Sequence, residues 1–189
     1  MRFYWRSWAL CLTFVLASCA STPKHSYTHP SEIIDWQLQG KLAVALPGKS
    51  QSAYFNWKNS TDHYDIRVNG PLGQGSAQLI KSSNTVTLRY DGGEYQAPTG
   101  EQLMQQHLGW SFPVSNMYWW IKGLPVPGSE TAAQEFDEQG QLKELQQQGW
   151  KIRYLRYQAV DQVHLPYKIV AQREQIKLTL LLKKWRLGP

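Results

Sequence analysis

The sequence has few of the residues that cross-link exported proteins: only two of its 189 residues are cysteine. Cys11 lies in a segment that we expect to be removed during export, so Cys19 is left alone and the mature chain has no internal disulfide. Long apolar runs are also scarce. The run at residues 8–17 is about half of the roughly 20 residues that a membrane-spanning helix needs, which is typical of an export signal.

The common catalytic and nucleotide-binding motifs are missing too. There is no G-x-S-x-G elbow, no H-E-x-x-H motif and no phosphate-binding glycine loop. The closest pair of histidines, His25 and His29, lies where no helix is expected to align them as metal ligands. Glu135, Asp137 and Glu138 flank a predicted turn, where we expect them to be solvated. The sequence therefore predicts no catalytic residue, no metal site and no cofactor.

The N-terminus has the features of a lipoprotein export signal. Arg2 and Arg6 give it a positively charged start, and residues 16–19, Leu-Ala-Ser-Cys, resemble the lipobox at which bacterial signal peptidase II cuts. We therefore predict a signal peptide over residues 1–18 and lipidation of Cys19. The alternative is a secreted protein with one incidental thiol, which is disfavoured because a free cysteine is a liability in an oxidising compartment.

The residue after the cysteine and the net charge bear on location and partners. By resemblance to bacterial lipoproteins, aspartate at this position commonly causes inner-membrane retention, so Ala20 favours the outer membrane, facing the periplasm. Without Arg2 and Arg6 the formal charge falls from +6 to +4, spread along the chain. This charge suits either a surface near anionic lipid headgroups or ordinary solubility. No basic cluster indicates a nucleic-acid partner.

The mature chain divides into a tether and one domain. Residues 20–31 are polar, include two prolines and lack apolar periodicity, which predicts a lipidated flexible tether over residues 19–31. Residues 32–189 are enough for one hydrophobic core. We therefore predict a single domain there.

From Trp36 onward, apolar and polar residues alternate with the period of two that is typical of strands with one buried face. Turn-forming stretches such as Asn69-Gly70 separate the candidate strands, and short connections favour antiparallel neighbours. The candidates are residues 41–46, 52–58, 64–69, 75–81, 85–90, 94–97, 141–146, 150–157, 166–173 and 175–185.

Two helices interrupt this pattern. Thr99 and Gln102 have the spacing of a capping box, and Gly109 ends the first helix. The second helix, residues 113–122, is apolar nearly all round and should therefore be covered. Together these elements predict a mainly β fold, a curved antiparallel sheet of about ten or eleven strands with two helices over its concave side.

Aromatic residues are abundant, at 13%, and seven of the nine tryptophans remain after loss of Trp5 and Trp8. Each tryptophan alone fits an ordinary core. Large rings on a concave sheet and a covering helix can also line a pocket for aliphatic chains. Trp119 and Trp120 are the first candidates to respond to such a ligand. The full set of candidates for an acyl-chain cavity is Trp57, Leu103, Met104, Trp110, Met117, Trp119, Trp120, Leu124 and Trp150.

Several short motifs occur in one order across nearly the whole mature chain. They are the lipobox cysteine, Gly40-Lys41, Phe55-x-Trp57, Gly70-Pro71-Leu72-Gly73, Trp119-x-x-x-Gly123-Leu124-Pro125, Gln148-Gly149-Trp150, Tyr157 and Leu165-Pro166. In this order the chain resembles the LolB family of outer-membrane lipoprotein receptors.

The resemblance implies that residues 32–189 form a single lipoprotein-binding β domain that acts as a monomer. Its implied fold is an unclosed antiparallel β-barrel with a helical lid over a hydrophobic cavity. It implies a receptor that accepts acylated lipoproteins from a LolA-like periplasmic carrier and inserts them into the inner leaflet of the outer membrane, without nucleotide hydrolysis. Outer-membrane phospholipid is then a further partner. The family's membrane-insertion loop falls on Pro71, Leu72 and Gly73, with Leu72 as its protruding leucine.

Two other functions stay open at this stage. An assembly lipoprotein would use its sheet to bind proteins and would bind no acyl chains. A lipid-processing enzyme would turn over acylated substrates.

Overall fold

The predicted alternation is realised as one antiparallel sheet of eleven strands within the described part of the chain. The structure is a computed structural model that describes residues 26–71 and 75–188. The strands are β1 Trp36–Leu46, β2 Lys49–Ser60, β3 His63–Asn69, β4 Ser76–Ser82, β5 Thr85–Tyr90, β6 Gly93–Ala97, β7 Thr131–Phe136, β8 Leu142–Gln147, β9 Trp150–Val160, β10 Val163–Arg173 and β11 Ile176–Leu187.

The strand order brings the two ends of the chain together in the middle of the sheet. Across the sheet it is β6-β5-β4-β3-β2-β1-β11-β10-β9-β8-β7, so the first and last strands of the chain pair in the middle. Strands β6 and β7 form the two edges, which leaves the described sheet open. The segment that joins β6 to β7 contains both helices. It crosses the concave face of the sheet from one edge to the other. The predicted mainly β, unclosed architecture is confirmed.

Strand β7 is the element that the pattern did not indicate. Its residues are mostly exposed, and Phe136 is 56% exposed, so it carries no alternation of buried and exposed positions. The predicted turn that follows it is present. The carboxylate of Asp137 accepts hydrogen bonds from the backbone N–H groups of Gln139 and Gln141. This turn pairs β7 with β8.

Gly40 lies inside β1, at the point where the register between β1 and β11 shifts. A side chain at this position would meet the backbone oxygen of Leu181 and the ring of Phe55. Glycine is therefore required for the close approach of these three strands. The motif at Gly40-Lys41 consequently marks this approach, since β1 itself begins at Trp36.

The ordered fold begins before residue 32, in part of the segment predicted as tether. A short 3₁₀ helix, Pro30–Glu32, is capped by reciprocal hydrogen bonds of His29 and Glu32. Tyr27 and Ile33, on either side of it, are buried in the core. The predicted tether thus extends too far towards the domain. Two isolated apolar anchors among polar residues give no periodic signal, although they suffice to dock the segment.

The two helices occupy the predicted places. Helix α1, Gly100–Leu108, is capped by the Thr99 hydroxyl, which accepts from the N–H of Gln102, and it ends at Gly109 in the left-handed conformation. Helix α2, Val114–Trp120, is shorter than predicted, and Gly123 with φ of 76° follows its last turn. Within the described ranges, no helix has the length and apolarity needed to cross a membrane.

Candidate functional site

An apolar cavity lies between the concave face of the sheet and the helical segment. It has two adjoining parts, of about 30 Å³ and 90 Å³, which share the side chains of Leu42, Ile66, Val68 and Phe112. The smaller part is also lined by Phe55, Trp57, Met117, Leu178 and Leu180. The larger part is also lined by Ala77, Leu79, Leu88, Met104, Leu108 and Trp110. All of these side chains are apolar, so the cavity suits a ligand without charge or hydrogen-bonding groups.

Four of the predicted cavity residues line this space: Trp57, Met104, Trp110 and Met117. The strands supply most of the rest of the lining, and Phe112 comes from the link between the helices, where its ring stacks on Trp110 at 5.8 Å. The sequence-based prediction of the cavity lining relied on the tryptophans. The inward-facing aliphatic residues of β1, β3 and β4 would have been a better indicator of the residues that line the cavity. Their period-two alternation already marked them as facing the core.

Five predicted residues do not line the cavity. Trp120 is fully buried and donates its indole N–H to the Gln147 side chain at 3.1 Å, while its ring lies 6.2 Å from that of Trp150. This pair fills the core beneath β8 and β9. Leu103 is also core, and Leu124 is half-buried after α2. A helix that is apolar all round packs on several sides, and only one side of α2 meets the cavity.

Trp119, the fifth, lies on another side of α2. Its ring contacts Tyr118 edge-on, and the ammonium group of Lys122 lies 4.8 Å from the Trp119 ring and 3.8 Å from the Tyr118 ring. Lys122 is only 1% exposed and donates to the backbone oxygen of Ile33 at 3.0 Å. This buried lysine therefore joins the end of α2 to the ordered N-terminal segment. No sequence signal distinguished it from a solvated lysine.

Burial lowers the pKa of Lys122 from 10.5 to about 8. The unfolded chain therefore binds more protons than the folded protein between these values, and the free energy of unfolding should rise with pH in this window. From pH 8 to pH 10, the wild type should gain about 2 kcal/mol relative to Lys122→Met in urea unfolding. In the control variant Lys143→Met, which changes an exposed lysine, the free energy of unfolding should rise with pH as it does in the wild type. Parallel profiles for wild type and Lys122→Met would contradict the assignment.

A polar recess adjoins the apolar cavity at Trp57, which lines both. The recess measures about 190 Å³ and lies between α2 and the β2–β3 turn. Its lining includes Tyr64, Lys81, Ser115 and Tyr118. An apolar space beside a polar one suits an amphipathic molecule, with chains and head on opposite sides of Trp57.

The predicted insertion loop and lipidation site are only partly within the described structure. The N–H of Gly70 donates to the oxygen of Gly75 at 3.0 Å and closes the base of the β3–β4 loop. Pro71 is exposed. Leu72 and Gly73, as well as Cys19, lie outside the described residues.

The architecture is shared with a structurally characterised protein of different sequence. A LolA superfamily protein from Nitrosomonas europaea matches with a TM-score of 0.56 at 8% identity, over 82% of this chain and 87% of that one. This chain therefore shares its fold with that LolA superfamily protein.

Sequence comparison narrows this class to one family. The model of the family "Outer membrane lipoprotein LolB" matches residues 34–185. The chain is 33% identical to the outer-membrane lipoprotein LolB of Stutzerimonas stutzeri, over 94% of this chain and 93% of the relative. It is 38% identical to the one from Pseudomonas paraeruginosa, over 88% and 82%. The chain belongs to the LolB family. It is an outer-membrane lipoprotein, and this membership supports a role in lipoprotein localisation.

Proposed function

We propose that this protein accepts acylated lipoproteins from a LolA-like periplasmic carrier into its apolar cavity and inserts them into the inner leaflet of the outer membrane. The observation that carries the proposal is the wholly apolar lining between the concave sheet and the helices. Acyl chains contribute about 0.8 kcal/mol per buried CH₂, so they need such a shelter to cross an aqueous compartment. The proposed receptor acts as a monomer. Its function requires no catalytic step and no cofactor.

The cavity must widen to take this cargo. Its parts of about 30 Å³ and 90 Å³ are well below the roughly 300–1,000 Å³ of ordinary ligand sites. The two helices are the elements that can move, because they lie outside the hydrogen-bonded sheet and residues 121–130 separate α2 from β7. We therefore infer that the structure corresponds to the closed, cargo-free receptor, with α1 and α2 as its lid.

The polar recess defines the orientation of the bound cargo. The acyl chains enter the apolar cavity, and the ester and amide groups at the cargo's lipidated cysteine lie beyond Trp57, near Tyr64 and Ser115. Transfer without nucleotide requires that the cavity bind the chains more favourably than the carrier does, and that the bilayer bind them more favourably still. Cys19 then holds the receptor at the membrane, and the Pro71-Leu72-Gly73 loop contacts the bilayer during release.

A stacked pair of rings closes one side of the lid. The rings of Tyr95 on β6 and His107 on α1 are stacked with centroids 3.7 Å apart. Aromatic pairs contribute about 0.5–1.5 kcal/mol, so Tyr95→Ala should increase the rate of cargo uptake about two- to tenfold by easing lid opening. Tyr95→Phe keeps the stack and should behave as wild type in the same stopped-flow measurement. Equal uptake rates in all three proteins would place the opening elsewhere.

Tryptophan fluorescence tests the position of the acyl chains. Trp110 lines the larger part of the cavity, and Trp119 faces Lys122 instead. Addition of an acylated peptide should therefore change the emission of the wild type and of Trp119→Phe, and Trp110→Phe should lose a large share of the change. If Trp110→Phe responds fully and Trp119→Phe does not, the chains bind outside this cavity and the proposal fails.

A further inference from the structure

Charged residues are distributed very unevenly over the sheet. Five neighbouring strands, β2, β1, β11, β10 and β9, contain twelve lysines and arginines and no aspartate or glutamate. Because β1 and β11 pair, basic residues from the two ends of the sequence become neighbours. The modest net charge, which is spread along the chain, is therefore gathered on the central strands by the fold.

Most of this charge faces away from the cavity. The residues of β1 that face the core include the buried Trp36 and Leu38, so the alternate positions of β1 face outward. A residue directly across from an outward position on a neighbouring strand shares its face. In register with the outward positions of β1 are Lys58 of β2 and Lys177, Lys184 and Arg186 of β11. We name this outer surface of the five strands the basic face.

Uncharged side chains on the basic face also suit a membrane interface. Tyr54 of β2 is 52% exposed, and the ammonium group of Lys41 lies 4.6 Å from its ring. Leu155 of β9 is 51% exposed. The flanking strands carry acids that are already paired, as in Glu144 with Lys151 at 2.7 Å and Asp65 with Arg67 at 3.0 Å. A basic surface with an amphipathic ring and an exposed leucine complements a bilayer of anionic lipids.

We propose that the basic face docks on anionic phospholipid headgroups, with the strands lying along the membrane plane. The ordered N-terminal segment enters at Trp36, one end of β1, and the β3–β4 loop follows Asn69 at the opposite end of β3. This orientation leaves both ends of the sheet near the bilayer. The cavity side then faces the periplasm, ready to receive cargo. Docking needs neither the loop nor cargo, so it goes beyond the proposed function.

Vesicle binding tests the proposal. All described elements lie within residues 26–188, so a form that begins at Ala20 retains the whole fold and lacks the lipid anchor. This form should co-sediment with phosphatidylcholine vesicles that contain phosphatidylglycerol, and much less with phosphatidylcholine alone. Since each basic residue near an anionic surface strengthens binding about fivefold, Lys177→Gln/Lys184→Gln should weaken it about 25-fold. In about 1 M salt, where the screening length is about 3 Å, the binding should disappear.

A matched control removes the same charge elsewhere. Arg89→Gln/Lys143→Gln changes two basic residues of β5 and β8, outside the basic face, and should bind these vesicles within about twofold of wild type. If both double variants lost vesicle binding equally, the binding would depend on net charge alone, and the proposal would be overturned. So would equal binding to neutral vesicles, or no binding to either kind. Cargo transfer from a loaded carrier in solution should be unchanged in Lys177→Gln/Lys184→Gln, which separates this test from that of the cavity.

Discussion

Leu72→Glu should leave folding and cargo acceptance nearly normal and should sharply reduce release of cargo into liposomes. A leucine that enters the headgroup boundary contributes roughly 1.5–3 kcal/mol when fully buried. Glutamate would instead carry a charge into that region at a cost. Because every 1.4 kcal/mol corresponds to a factor of ten, release should slow by about 10- to 100-fold. Cargo should accumulate as a soluble complex, most clearly when Cys19 is also replaced.

An exposed apolar residue on another element provides the control for Leu72→Glu. Phe136 is 56% exposed on the edge strand β7, and Phe136→Glu should release cargo at the normal rate. If Leu72→Glu blocked transfer from the carrier while preloaded protein released cargo normally, Leu72 would belong to the cavity or the carrier interface. Its assignment to membrane insertion would then be wrong.

Filling the cavity should abolish cargo acceptance. Val68 lines both parts of the cavity from β3, and Val68→Trp would place a large ring where the acyl chains are proposed to lie. Overpacking costs about 1–3 kcal/mol of stability, so the variant should fold with a lowered melting temperature. Transfer from the loaded carrier should fall at least about tenfold, in line with the loss of buried CH₂ groups at about 0.8 kcal/mol each.

The neighbouring residue gives a matched control on the opposite face of the same strand. Arg67 is exposed, and Arg67→Trp adds the same side chain without entering the cavity. It should accept cargo normally. Should Val68→Trp fail to fold, Ala77→Phe repeats the test from β4. Normal acceptance by a folded cavity-filled variant would exclude this cavity as the acyl-chain site.

The sequence predicted the architecture well because its signals are local. Alternation and turn residues located ten strands, and the Thr99 cap with Gly109 located α1. Strand β7 was missed because it is exposed on both faces, and strand alternation arises only where one face is buried. The ordered segment around Tyr27 was missed for a related reason, since two anchoring residues do not form a pattern.

The site was less predictable because it depends on long-range pairing. Composition drew attention to the tryptophans, yet Trp120 and Trp150 pack against each other in the core and the aliphatic residues of the strands line most of the cavity. The burial of Lys122 depends on the N-terminal segment that covers it. The basic face requires the pairing of β1 with β11, which sequence patterns do not reveal.

The transfer reaction itself tests the central claim most directly. A purified LolA-like carrier loaded with an acylated lipoprotein is mixed with the form that begins at Ala20, without membranes or nucleotide, and the two proteins are separated. We expect the cargo to leave with the receptor and to pass into liposomes when they are added. If the cargo stays with the carrier while the receptor is folded, the proposal that this cavity receives lipoproteins is contradicted.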